Sequence, residues 1–328
     1  MGAEGGGAEA GHGTERRGGP GTGGVAEPDG EAGPDAGALY DLGYQPYAGE
    51  RRGRSYVRWT VFTQALRRAF GLERGGRALF APWALLTLAA VPALVQVGIS
   101  GMVGEGIELV SYHDYLSPVQ MLLALFCAGQ APELVSRDQH HGVLPLYLAR
   151  GLERSEYALS RLAGMVAAVF LLVMTPMAIL FVGHLGTAAE FWSALTAEAQ
   201  QLPAIVGSAL LAAVVLGGLS LAVAAWTHRR GYATAGILGI FLVSAPVSAA
   251  LLAADPTGPG RYALLASPLQ VIDGLMRVFF GREPMGDAPE GTALESAMLE
   301  PAHLGLAAFG MVAASTAVLL VRYARIRA

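Results

Sequence analysis

The chain has 328 residues, 53% of them apolar and only 15% charged, with a mean hydropathy of +0.44. That balance is too apolar for a soluble domain of this length and marks an integral membrane protein. The net charge of −4 hides a sharper bias: all 22 basic residues are arginine, which excludes P-loop, Schiff-base and kinase-type lysine chemistry within the chain.

From the N-terminus, residues 1–37 are mostly Gly, Ala, Glu and Pro, with no large apolar group except Met1 and Val25. Such a segment cannot bury enough surface to offset the entropy of ordering, so residues 1–50 are expected to form a disordered, Gly-rich cytoplasmic tail. It lacks the basic start and apolar run of a cleavable signal peptide. Next, "SYVRWTVFTQALRRAF" at 55–70 sets Tyr56, Trp59, Phe62, Leu66, Ala69 and Phe70 at helical spacing, with Arg58, Arg67 and Arg68 elsewhere on the surface. An amphipathic helix in the headgroup layer is expected within 51–79.

A helix needs about 20 apolar residues to cross a bilayer, because each backbone amide must be satisfied inside its own segment. Six runs qualify, at 80–103, 117–135, 162–183, 203–226, 233–254 and 303–321. The second is the weakest, with Pro118 and Pro132 near its ends and Glu133 in its last turn. Arginine placement sets the orientation. Seventeen arginines flank the first span's start, the ends of the second, fourth and sixth and the starts of the third and fifth; only Arg261, Arg277 and Arg282 fall in the opposite loops. The expected fold is therefore all-α, a six-span domain over 80–328 with both termini cytoplasmic. Between spans five and six, "SPLQVIDGLMRVFF" at 267–280 offers Ser267 as N-cap, Pro268 at the first helical position and Asp273 four residues before Arg277. A short outer helix is expected there, too short to span.

Ionisable groups inside a bilayer are costly and persist for function. Five spans have no Asp, Glu or Arg in their cores; the exception, Glu133, stands four residues before Arg137 and is expected to form an ion pair at the membrane boundary. The seven histidines lie in the tail, loops or span ends with no HExxH pair. Adjacent His140 and His141 would point about 100° apart on a helix, so they do not chelate one ion together. Cys127, the only cysteine, allows neither a disulfide nor a CxxC zinc site. No catalytic residue, metal site or bound cofactor is expected. A membrane protein with no internal energy source either conducts passively or takes work from a partner.

The cytosolic stretch "SRDQHHGVLPLYLARGLERSEYALSR", 136–161, carries the remaining signal. Leu144, Leu146, Tyr147 and Leu148 give a short helix an apolar surface for a partner's groove, Arg150, Arg154 and Glu156 can fix its orientation, and Gly142 and Gly151 bracket it. Packing of the same run on the protein's own spans is the bland alternative. The stretch resembles the first cytosolic loop of bacterial type-2 ABC exporter permeases, in which an acid is followed by Gly-Thr-Leu, a short helix, a Pro and a Ser-Arg-x-acid-aromatic turn. Asp138 takes the place of the acid, Gly142 and Leu144 the Gly-x-Leu, Arg154 the turn arginine, Glu156 and Tyr157 the acid-aromatic pair, and Arg161 the basic residue opening the third span. Val143 for Thr, Gly151 for Pro and Glu153 for Ser depart from the pattern.

The resemblance implies the transmembrane subunit of an ATP-driven exporter in the bacterial plasma membrane. It also implies a homodimer or a heterodimer with a related permease, with the 136–161 loop docking on a separate ATP-binding subunit that holds the ATP and Mg. Apart from membrane lipid no other partner is implied, and no nucleic acid. The rival expectation is a passive channel or membrane scaffold without nucleotide coupling.

Overall fold

The computed structural model describes residues 53–73, 75–103, 111–113, 115–135, 152–227, 229–255, 258–284 and 299–325. Among them every regular element is helical: α1 (Arg54–Ala69), α2 (Gly76–Val103), α3 (Leu116–Leu134), α4 (Arg154–Thr187), α5 (Phe191–Trp226), α6 (Arg230–Leu238), α7 (Ser244–Ala254), α8 (Pro268–Phe279) and α9 (Pro301–Ala324). A five-residue π turn, Gly239–Val243, joins α6 to α7, and a 3-10 helix, Pro259–Ala266, precedes α8. Pro246, three residues past the π turn, has no N–H to give the preceding turn, and the wider turn takes up that break without ending the helix. Segments α2, α4, α5, the joined α6–α7 and α9 are long and apolar enough to cross a bilayer, which makes this a multi-pass membrane protein.

The remaining expected span, 117–135, is the 19-residue helix α3, which falls outside that set of five. Its polar content explains this, since Gln120, Gln130, Glu133 and Pro132 dilute the run. It is deeply packed all the same: Leu123, Phe126, Cys127, Ala131 and Leu134 are fully buried, and α3 touches α1, α2, α4, α5 and α6. Two spans start earlier than their apolar runs. Helix α4 begins at Arg154 instead of residue 162, and α5 at Phe191 instead of 203. At about 1.5 Å per residue, 34 and 36 residues reach roughly 50 Å, well past a hydrocarbon core of about 30 Å.

Lipid tails are as apolar as the helices they surround, so helices associate through close packing, which favours small residues where backbones meet. A Cβ on Gly183 of α4 would lie 2.1 Å from Val97 Cγ2 of α2, and one on Gly164 would lie 2.4 Å from Ala65 Cβ of α1. Gly217 of α5 meets Val166 of α4, and Gly218 meets Ser315 of α9. Helix α1 follows the first turns of α4 in the same direction: Arg54 faces Glu153, Arg58 faces Glu156 and Ala65 faces Gly164. Its apolar stripe, Val61, Ala65 and Ala69, is buried there, while Tyr56 and Trp59 stay exposed. Helix α1 thus runs beside a span over about three turns. At the other end of the fold α8 forms as expected, with Pro268 first and Asp273 paired to Arg277 at 3.7 Å. Ser267 holds the N-cap position without a side-chain capping bond; its Oγ accepts from Ser244 Oγ at 3.4 Å.

Candidate functional site: two polar ends of the helix bundle

Polar side chains tie the helix ends into two groups. The first gathers the starts of α1, α4 and α6 and the ends of α3, α5 and α9. Arg54 Nη2 donates to Glu153 Oε1 at 2.9 Å and lies 3.7 Å from Glu156 Oε2, and Arg58 lies 3.8 Å from Glu156 Oε1. The bond to Glu153, followed by the charge of Glu156, raises the Arg54 pKa above its ordinary value. The backbone N–H of Glu153 donates to Glu156 Oε2 at 3.1 Å, closing a capping box on α4. Glu153, which departs from Ser in the exporter-permease pattern, therefore still serves as a helix cap.

One residue on, Arg154 Nη1 donates to the Ala324 carbonyl at the end of α9, 3.4 Å away. Arg322 Nε donates to the Ala225 carbonyl at the end of α5 at 3.1 Å, with its guanidinium over the Trp226 ring. Both satisfy carbonyls that a helix C-terminus leaves open, where a cation is also favoured by the helix dipole. Beneath them Arg161 is 1% exposed; its Nε donates to Tyr157 Oη at 3.1 Å, its guanidinium lies 5.2 Å from the Tyr157 ring, and Tyr157 packs against Tyr323. Burial without water contact makes such an arginine a rigid part of the packing.

Of the residues expected to form the coupling loop, Arg154 and Glu156 lie in this group. Asp138, Gly142, Leu144, Leu146, Tyr147 and Arg150 lie outside the described residues. The expected Glu133–Arg137 pair is half visible: Arg137 is also outside, and Glu133, buried at the end of α3, meets Arg230 Nη1 of α6 at 2.5 Å. That contact bridges two helices across almost a hundred residues of sequence, so no helical spacing announces it.

The second group lies at the opposite ends of α3, α4 and α5, and sequence reasoning did not assemble it. Tyr112 Oη donates to Glu198 Oε2 at 2.8 Å, and His184 Nδ1 is 3.0 Å from Glu198 Oε1 and 3.4 Å from Tyr112 Oη. Phe280, just past α8, stacks on the Tyr112 ring at 5.9 Å with the planes 4° apart. Burial, then the hydrogen bond to Glu198, pushes the Tyr112 hydroxyl well above the ordinary tyrosine range. Each carboxylate oxygen has its own partner, so the cluster fastens four chain segments. Among the described residues no three His, Cys, Asp or Glu side chains come together as a metal site. The chain matches no protein-family model, and no curated protein matches it.

Proposed function

We propose that this chain is the transmembrane subunit of an ATP-driven exporter in the plasma membrane, moved through its 136–161 loop by a separate ATP-binding subunit. The observation that carries the reading is the clamp at the loop's exit. Glu153, Arg154 and Glu156 join the start of α4 to the start of α1 and the end of α9. A force delivered to the loop would pass into three helices at once, through a 34-residue helix that extends beyond the hydrocarbon layer. The likeness of 136–161 to the exporter-permease loop and the absence of lysine point the same way, because phosphate chemistry then belongs to the partner. In this reading α3 is the sixth crossing, since its two ends belong to opposite polar groups, and both termini are cytoplasmic. Two permease chains would complete the pathway.

The test is co-expression with a candidate ATP-binding subunit, recognised by GxxxxGK[ST], followed by co-purification and ATP hydrolysis in proteoliposomes. Leu144→Asp combined with Arg154→Glu is expected to reduce both at least tenfold. Unchanged copurification and hydrolysis would sink coupling through this loop, and flux that ignores ATP would favour the passive channel.

A further inference from the structure

Between the second halves of α2 and α4 lies a groove of about 810 Å³, walled by Val97 and Gly101 on one side and by Thr175, Ala178, Val182 and Gly186 on the other. We propose that it holds one acyl chain of a phospholipid from the surrounding bilayer. Three features select that occupant. First, the groove makes no hydrogen-bonding demand. Its two hydroxyls are committed to their own helix, Thr175 Oγ1 to the Leu171 carbonyl at 2.7 Å and Thr187 Oγ1 to the Gly183 carbonyl at 3.0 Å, and among the described residues no charged one lines it. A peptide or sugar would leave its polar groups unsatisfied there, whereas a hydrocarbon chain has none to satisfy.

Second, the depth fits a single leaflet. Residues 175–187 rise about 18 Å along α4, against roughly 15 Å for half of a bilayer's hydrocarbon core, and they lie toward the end that carries the Tyr112–His184–Glu198 cluster. Third, the groove is built into a fixed contact. Val97 and Gly183 touch too closely for any Cβ at 183, so α2 and α4 are locked at that point. Beside it, among the described residues, Gly186 has open space and Gly101 meets only Thr187 Cγ2 at 3.8 Å, so none of them fills the trough. Its volume lies within the range of small-ligand pockets, about 300–1,000 Å³.

The full-length chain is reconstituted in phosphatidylcholine nanodiscs and released for native mass spectrometry. Gly186→Leu, and independently Gly101→Leu from the opposite wall, is expected to retain one phospholipid fewer than wild type. Gly310→Leu adds the same bulk to open space on α9 and should retain the wild-type number. Equal retention in all of them overturns the proposal. So does a wild-type dimer that Gly186→Leu converts to a monomer, because the groove would then be an interface between copies. A second measurement needs no variant: a phosphatidylcholine carrying a diazirine on its acyl chain should label peptides from 97–101 and 175–187 several-fold above those from α9. Uniform labelling of the two sets counts against the site.

Discussion

At the scale of single residues, Tyr112 carries the sharpest electrostatic consequence. It is 7% exposed, and its hydroxyl is one of two groups serving the Glu198 carboxylate. The folded protein holds that proton more tightly than an unfolded chain, whose tyrosines titrate near pH 10. The resulting stability is complete below about pH 10 and is lost as the pH rises above it. Tyr112→Phe should therefore do two things. It should cost about 1–3 kcal/mol at pH 7, because Glu198 Oε2 loses its donor in a partly buried place. It should also flatten the decline of stability above pH 10. Thermal unfolding followed by circular dichroism from pH 7 to 11.5 distinguishes these effects, and a decline parallel to wild type would refute the second. None of this cluster could be assembled from sequence. Tyr112 stands 72 and 86 positions from His184 and Glu198, and even His184 and Glu198, 14 apart, sit on different helices, so no local spacing announces the cluster.

At the scale of elements, the helices themselves were the legible part. A bilayer permits few backbone solutions, so apolar runs bounded by charge and by Gly or Pro translate directly into helices. Helix α1 was expected over 55–70 and occupies Arg54–Ala69; the outer helix was expected over 267–280 and occupies Pro268–Phe279. Hydropathy failed at the starts of α4 and α5, where polar residues continue a helix that composition alone would have ended. It was also silent on how α1 lies, because an amphipathic stripe shows which face is buried and not against what. That partner is the first three turns of α4, and Glu156 is the hinge of the arrangement: it caps α4 and faces both Arg54 and Arg58. Glu156→Ala is expected to speed amide hydrogen exchange several-fold across Arg54–Ala69 while leaving the buried stretch Met165–Val173 unchanged. Unaltered exchange in α1 would mean that Val61, Ala65 and Ala69 hold the helix by packing alone. Much of what was expected to dock a partner, from Asp138 to Arg150, falls outside the described residues, so the proposed coupling role rests on the loop's exit at Glu153–Glu156.

At the scale of the whole molecule, the two polar ends are chemically unlike. One sets Arg54, Arg58, Arg154, Arg230 and Arg322 against three carboxylates, Glu133, Glu153 and Glu156, and the other joins Tyr112, His184 and Glu198. Positively charged ends are retained on the cytoplasmic side during insertion, so this asymmetry supports the proposed sidedness. It also supports the proposed crossing by α3, because Tyr112 stands just before one of its ends and the Glu133–Arg230 pair fixes the other. If α3 crosses, Trp192 at the start of α5 faces outward and Arg325 after α9 faces the cytoplasm. If α3 does not cross, the two ends cannot both keep their partners. Buried Cys127 is replaced by alanine, and Trp192→Cys and Arg325→Cys are introduced one at a time. Intact cells are then treated with a membrane-impermeant maleimide. Labelling of Trp192→Cys in intact cells, and of Arg325→Cys only after permeabilisation, is the pattern that six crossings with a cytoplasmic C-terminus require. Labelling of both, or neither, before permeabilisation would place the two polar groups on the same side of the membrane. That is incompatible with the helix-end contacts that define them.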